Sequence, residues 1–406
     1  MINLRMLKAT DNVIWACTAF LITVSFLSIF SVIYSNGLLV AFQFLQRQFG
    51  ALIIGLIGMA LFAYMDYHHL KKIAFPLYLI ILLLLVYVLI KGNVVSGAAR
   101  WISFGPISFQ PSEITKLTVI LSLATYFNWM KDRARILPAA VIAGIPFLLI
   151  FKQPDLGTAL VIIAISLGML VWNKTSPIML IMVATPIFSL LLRPNIYVWI
   201  SYLLVLWVIL YFSRVKLLDL IIIMGINIGI GIAFPIIWGM LREYQKMRII
   251  AFVNPGIDPH GSGYHTLQSL VAVGAGGLFG RGFLHGSQTQ LRFIPEQHSD
   301  FIYSAVAEEF GLIGAGLVLF ALITLIRRAF KIADESSDYF GGILVAGAAV
   351  MLGFHTFVSI GMVLGVMPVV GIPLPFVSFG GTALIINMIL VGIIQNVAMR
   401  REKLIF

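Results

Sequence analysis

Charge is what this sequence has least of. Only 11% of its 406 residues are Asp, Glu, Lys or Arg, against roughly 25% in soluble domains, and 60% are hydrophobic. That balance excludes an ordinary soluble protein, and no stretch is polar enough to form a soluble domain of its own. Cysteine is almost absent. The single Cys17 lies inside an apolar run, which excludes a disulfide framework and a cysteine metal site and leaves it as a small packing residue. Acids are the scarcer sign, 16 against 27 Lys and Arg, for a net charge of +11. The basic excess is scattered rather than gathered into a stripe, so no nucleic-acid partner is implied.

What is there is a succession of bilayer-length apolar runs. Between charged breaks they predict twelve crossings, near 13–34, 44–65, 73–90, 114–130, 137–151, 157–172, 178–192, 196–212, 219–240, 301–326, 341–366 and 382–399. The fold class expected is all-α, a polytopic transmembrane helical bundle forming one domain over 1–406. The opening MINLRMLKATDN and the run from Val13 to Tyr34 read as an uncleaved anchor rather than a signal peptide. With the N-terminus in the cytoplasm, sixteen of the 27 Lys and Arg residues fall on the inner side, as the positive-inside rule requires. Both termini are then cytoplasmic. Three unusual connections fall outside: Lys91 to Glu113, Leu241 to Asp300, and Met367 to Gly381. The hairpin over about 175–215 is joined only by Arg-Pro-Asn and carries no sign of chemistry.

The outer connections hold the polar residues. RGFLHGSQTQLRFIPEQHSDFIYSAVAEEFG, Arg281 to Gly311, departs most from the apolar rule. Pro295 suits the first position of a helix, which would set Glu296 and Asp300 four apart on one face. Two carboxylates at the mouth of a hydrophobic segment, with Arg281, Arg292, His285 and His298 close in sequence, fit acid–base work on an anionic substrate. A helix N-terminus favouring acidic side chains would look the same. Glu113 and Lys116, three apart where a helix enters the bilayer, are either a salt bridge fixing that helix or a functional pair. Asp155 reads as an N-cap, or as a third charge beside them. Of Glu308 and Glu309, about two turns into the next crossing, at least one should face protein or water. Arg242, Lys246 and Arg248 sit outside against the positive-inside rule, which an anionic partner would explain. The glycines of VGAGGLFG fail the dinucleotide pattern and suit turns close to a ligand or a re-entrant element. None of the four histidines between 260 and 298 has paired metal-ligand spacing. MPVVGIPLPFVSFGGTAL, too rich in Pro and Gly for a regular helix, must line a cavity or be buried in protein.

Four segments in order, GAARWISFGPISFQPSEITK, KQPDLGTAL, DPHGSGYHTLQSLVAVGAGGLFGRGFLHGSQTQLRFIPEQHSDFIYSAVAEEFGLIG and MPVVGIPLPFVSFGGTALI, resemble the shape, elongation, division and sporulation family of bacterial cell-wall polymerases. The likeness spans nearly the whole chain, and HGSQTQLRFIPEQHSDF is more similar to the elongation branch than to the division branch. The resemblance implies ten crossings, so the hairpin at 175–215 would be an insertion. It further implies a peptidoglycan glycosyltransferase polymerising lipid II on the outer face of the cytoplasmic (inner) membrane. Implied partners are membrane lipid, a class B penicillin-binding protein and other membrane proteins of the elongation complex. It puts the family's essential acid on Asp300, its Pro-Glu motif on Glu296 and its intramembrane polar group on Glu113, Lys116 and Asp155.

Such a site would displace a diphosphate-lipid from C1 of one sugar by the 4-hydroxyl of another. Asp300 is the candidate base, helped by Glu296 and partial burial, both of which raise a carboxylate's pKa. Arg248 is the first candidate for the diphosphate, then Arg242, Lys246 and Arg100, with Arg292, His298 and Ser378 as further substrate contacts. A divalent cation, Mg2+ or Mn2+, could share that task. The rival readings are a lipid II flippase, a division or sporulation paralogue of the same polymerase, and a non-catalytic scaffold. A carrier would keep its key charges near the midplane, whereas the acidic pair here lies at the water interface.

Overall fold

The computed structural model describes residues 9–95, 98–104, 107–131, 136–254, 262–294 and 296–401. The chain folds as two compact units, Met1–Ser166 with Met247–Phe406, and Leu167–Lys246. In the first, Asp11 opens α1 (Asn12–Tyr34): its carboxylate accepts from the Val13 and Ile14 amides at 3.1 and 3.2 Å and pairs with Arg328. Helices α2 (Leu38–Tyr64) and α3 (His68–Lys91) follow. The connection after α3 holds a small antiparallel meander, β1 (Asn93–Val95), β2 (Ala98–Phe104) and β3 (Ile107–Phe109), in register at Val94↔Ala99 and Ser103↔Ser108. Then come α4 (Pro111–Met130), α5 (Ile136–Lys152) and α6 (Leu156–Trp172).

The second unit is built on α7 (Pro177–Leu192), α8 (Ile196–Phe212) and α9 (Leu217–Met240) around Leu206, Leu210 and Ile223. The amide side chain of Asn227, buried among these helices, is bonded throughout. The Asn227 Nδ2 donates to Thr185 Oγ1 at 3.0 Å and to the Ile223 carbonyl at 2.9 Å, and Oδ1 accepts from the Tyr202 hydroxyl at 3.1 Å. Such a satisfied interhelical network fixes packing and leaves nothing over for chemistry. The remaining helices are α10 (Glu243–Val253), α11 (Ser262–Gly276), α12 (Ser287–Gln290), α13 (Ile302–Asp334), α14 (Tyr339–Val363) and α15 (Gly381–Arg400).

All twelve expected crossings fall on helices. Seven of these, α1, α2, α3, α9, α13, α14 and α15, are long and apolar enough to cross a membrane, and α5 to α8 are shorter apolar helices. The twelfth, α4, carries Glu113 and Lys116. Between 111 and 127 every residue of α4 except Ile114 is buried, so it lies enclosed rather than presenting one face. The α2 and α3 helices instead expose large apolar side chains such as Leu39, Leu83 and Ile90, a surface suited to lipid.

One crossing differs from expectation. The run at 301–326 is not a single helix: Gly311 (φ 68, ψ −167) breaks α13 into 302–310 and 312–334. A broken helix leaves carbonyls and amides without partners, and the turn after α11 supplies them. Arg281 and Gly282 amides donate to the Glu308 and Glu309 carbonyls at 2.9 and 3.0 Å; the Gly277 and Leu278 carbonyls accept from Leu312 and Ile313 at 2.9 and 3.2 Å. The contact is backbone on backbone. A Cβ at Gly280 (φ +82) would collide with the Glu309 carbonyl, whereas one at Gly277 (φ +56) would meet nothing. Gly277→Ala is therefore expected to cost only the left-handed strain of about 1 kcal/mol, and Gly280→Ala at least about 2 kcal/mol more. Thermal unfolding in detergent of the two variants side by side measures the difference; equal losses would disprove the steric account.

Candidate active site

Pro111 at the start of α4 sets Glu113 and Lys116 in its first turns, facing the same way. The Lys116 ammonium, 1% exposed, donates to Glu113 Oε1 at 2.7 Å and lies 3.4 Å from Nε2 of His355 on α14. Asp155 has the capping role considered for it. It caps α6, accepting from the Thr158 amide and hydroxyl at 3.3 and 3.0 Å, and it also accepts from Gln110 Nε2 at 3.0 Å and Ser112 Oγ at 3.3 Å across on α4.

The acidic pair does not lie on a helix face. Helix α13 starts only at Ile302, and Glu296 is a left-handed turn residue (φ 51) whose carbonyl accepts from the Ser299 and Asp300 amides, both at 3.1 Å. Pro295 lies outside the described residues. The turn separates the two side chains. Glu296 is 70% exposed and faces His298, 3.7 Å away, while Asp300 enters a cavity of about 200 Å³ with Glu113, Lys116, Asp155 and His355. The carboxylates that share a space with Asp300 are thus Glu113 and Asp155 rather than Glu296. All three connections expected on one side, together with the turn carrying Asp155, contribute to this cavity.

Its far wall is the irregular segment before α15, held from behind. Ser378 Oγ donates to the Ser299 carbonyl at 2.6 Å and accepts from the Leu374 amide at 2.9 Å. Buried and doubly bonded, Ser378 staples this wall to the Asp300 turn and has no hydroxyl proton left for a substrate. Gln48 of α2 supports the same wall, its Oε1 accepting from Gly380 at 3.4 Å. Gly371 marks where Arg248 arrives: a Cβ there would lie 3.3 Å from Asp300 Oδ2 and 3.9 Å from Arg248 Nη1.

Other candidates have partners of their own. Arg292 donates to Ser35 Oγ at 3.1 Å and to the Ser35 carbonyl, closing the C-terminal end of α1. Arg281 Nη1 donates to Ser287 Oγ at 2.7 Å. Lys246 pairs with Glu243 at 2.8 Å, and the Arg242 amide donates to Gln245 Oε1 at 3.0 Å; both lie in the second unit. Arg100 is on β2, its side chain outside the described residues. Glu308 is fully buried and accepts from the Gln288 and Thr289 amides and the Thr289 hydroxyl at 2.7–3.0 Å, so it anchors α12. Glu309, equally buried, accepts from Ser31 of α1. Among the described residues no three His, Cys, Asp or Glu side chains gather closely enough to hold a metal ion by themselves.

Histidine 298 packs edge-on against Phe44 and beside Phe379. Burial pushes its pKa below the ordinary histidine value, and the Glu296 carboxylate offsets only part of that. The sign follows: the unfolded chain takes up the proton first, so His298 contributes stability above the ordinary histidine pKa that is lost as pH falls through the depressed one. Between pH 7 and 5 wild type is expected to lose thermal stability more steeply than His298→Asn; parallel curves would refute this.

His355 and Gln48 are not among the candidates that the sequence singles out. A histidine inside a bilayer-length apolar run was the available signal, since ionisable groups persist there only with a partner.

Comparison with known proteins shows the family. The family model for FtsW, RodA and SpoVE, described as cell cycle protein, matches residues 11–177 and 171–403. The chain belongs to the shape, elongation, division and sporulation family. Within it, the chain is 35% identical over 368 residues to the peptidoglycan glycosyltransferase MrdB of Escherichia coli (strain K12), covering 89% of this chain and 87% of that protein. It is 32% identical over 401 residues to the peptidoglycan glycosyltransferase RodA of Treponema pallidum (strain Nichols), covering 90% and 92%. Its fold is similar, at TM-score 0.70 and 26% identity over 97% of this chain and 99% of the other, to a chain from a solved structure described as "Structural coordination of polymerization and crosslinking by a peptidoglycan synthase complex". This family member is accordingly an all-α integral membrane protein, with a small meander beside the cavity among the described residues.

Proposed function

We propose that the chain is a peptidoglycan glycosyltransferase that polymerises lipid II during cell elongation, with Asp300 as general base. The observation that carries the reading is the joint opening of Asp300 and the buried Glu113–Lys116–Asp155 group into one cavity, in a chain whose relatives are named for this activity. In the reaction the 4-hydroxyl oxygen of one sugar bonds to C1 of another. The C1–O bond to diphosphate breaks, the diphosphate keeps the electron pair, and the hydroxyl proton goes to Asp300. Arg248, arriving beside Asp300 at Gly371, is suited to the charge that grows on the leaving group. A divalent cation fits only with substrate phosphate and water completing its shell, held from the protein by Asp300 or Glu113; it would supply charge neutralisation there.

The membrane is the bacterial cytoplasmic one, with cytoplasmic termini and the cavity opening outward, an orientation supported by the basic residues on the other side. A class B penicillin-binding protein is the partner this reading requires, in line with the synthase complex whose chain this one resembles. The hairpin at 175–215 reads as an addition to the family fold. The test is glycan synthesis from lipid II by the purified chain with its partner. Polymer is expected. A folded, lipid II-binding complex that makes none and instead moves lipid II across liposomes would give the assignment to the flippase reading.

A further inference from the structure

Some glycines of this chain are demanded by the protein itself. A Cβ at Gly157 would sit 2.7 Å from the Val370 carbonyl, and those at Gly276 and Gly311 would collide with backbone. Gly380 and Gly381 are different. The nearest atom to a Cβ on Gly380 is Ala383 Cβ at 3.6 Å, and to one on Gly381 it is Ala51 Cβ at 3.5 Å, both ordinary contacts. Neither residue has a φ in the left-handed region. Packing therefore gives no reason for two adjacent glycines here. Their position gives one: with Thr382 and Ala383 they begin the 20-residue α15 and line the cavity, and no side chain caps this helix end. Glu113 lines the same cavity. It is 6% exposed, and its Oε2 has no hydrogen-bond partner among the described residues. A buried carboxylate oxygen left over in this way calls for a donor brought by a ligand.

We propose that the start of α15 is the seat of the diphosphate of a polyprenyl-linked glycosyl donor, an inference that rests on the polymerase reading above. First-turn amides and the positive end of the helix dipole bind phosphate oxygens, and glycine lets the backbone approach them closely. Glu113 Oε2 accepts from a sugar hydroxyl of the same donor. When the C1–O bond breaks and the diphosphate takes the electron pair, charge grows where amides are already aimed, while the attacking hydroxyl gives its proton to Asp300 on the adjoining wall.

Gly381→Pro tests the seat in the full-length chain with its transpeptidase partner. Proline suits the first helical position and removes one amide there. The probes are undecaprenyl diphosphate, undecaprenyl phosphate and inorganic pyrophosphate, measured separately. Binding of undecaprenyl diphosphate is expected to weaken at least tenfold, with a matching rise in KM for lipid II and little change in thermal stability. Gly381→Ala, whose Cβ has room, is expected to weaken it about threefold and decides the matter if the proline variant does not fold. Unaltered diphosphate affinity in whichever variant folds overturns the proposal, as does undecaprenyl phosphate binding equally well and weakening equally. Pyrophosphate competing in wild type and not in the variant would support the headgroup as the source of recognition. A wild type that binds the diphosphate lipid and makes no glycan, with binding lost in Gly381→Pro, keeps the seat and removes the polymerase reading; normal KM in a polymerising Gly381→Pro does the reverse.

Discussion

Asp300→Asn is expected to lower glycan polymerisation by about 10² to 10⁴, the range that a positioned general base contributes. The amide matches the carboxylate in size, so the turn from Glu296 to Asp300, held by backbone bonds, survives the change. What is lost is the ability to take a proton from the attacking hydroxyl. Lipid II binding is expected to persist, because the substitution removes a negative charge from a cavity proposed to receive a diphosphate. Glu296→Gln is the informative comparison. Had the two acids shared a helix face, it should cost nearly as much; with Glu296 turned to solvent and His298, a loss of less than about tenfold is expected, below the range of a catalytic base. Folded Asp300→Asn that polymerises as fast as wild type would remove Asp300 from the chemistry.

The contrast between Glu296 and Asp300 shows where sequence reasoning stops. The length of the apolar runs places the helices of all twelve expected crossings, because a bilayer-length run has few other solutions, and Asp155 announces its capping role by standing between a proline and an apolar run. Sequence proximity, however, says nothing about direction in a turn. One left-handed residue, Glu296, sends the pair apart, and the carboxylates that line the same cavity as Asp300 are Glu113 and Asp155, more than a hundred residues earlier. The same limit explains Arg292, Ser378 and Glu308. Each is polar and close in sequence to the site or to its walls, yet each is used up by backbone groups that only tertiary structure exposes: the end of α1, the Ser299 carbonyl and the amides of α12. The break at Gly311 was equally hidden, since a glycine inside an apolar run looks tolerated until its backbone partners at Gly277 and Leu278 are seen.

Lys116→Met is expected to cost about 3–5 kcal/mol of stability, the penalty for leaving one charge of a buried pair alone. Lys116 and Glu113 have side chains 1% and 8% exposed, so neither can turn to water when the other is removed. Nor does the surrounding helix offer relief: α4 is enclosed around most of its length, and His355 at 3.4 Å from the lost ammonium would face the orphaned carboxylate instead. Adding Glu113→Gln to the same chain removes the uncompensated charge, and most of the loss should return, because two neutral side chains of similar volume carry no desolvation penalty for a charge. Unfolding of the two single variants and the double in detergent gives the coupling. A single variant costing under about 1 kcal/mol with no recovery in the double would mean that water reaches the pair. The recovered double variant then separates structure from catalysis. If the pair serves only to hold α4 in place, activity should return with stability; if Glu113 Oε2 meets the substrate as its unpartnered state suggests, the double variant should be stable and still slow.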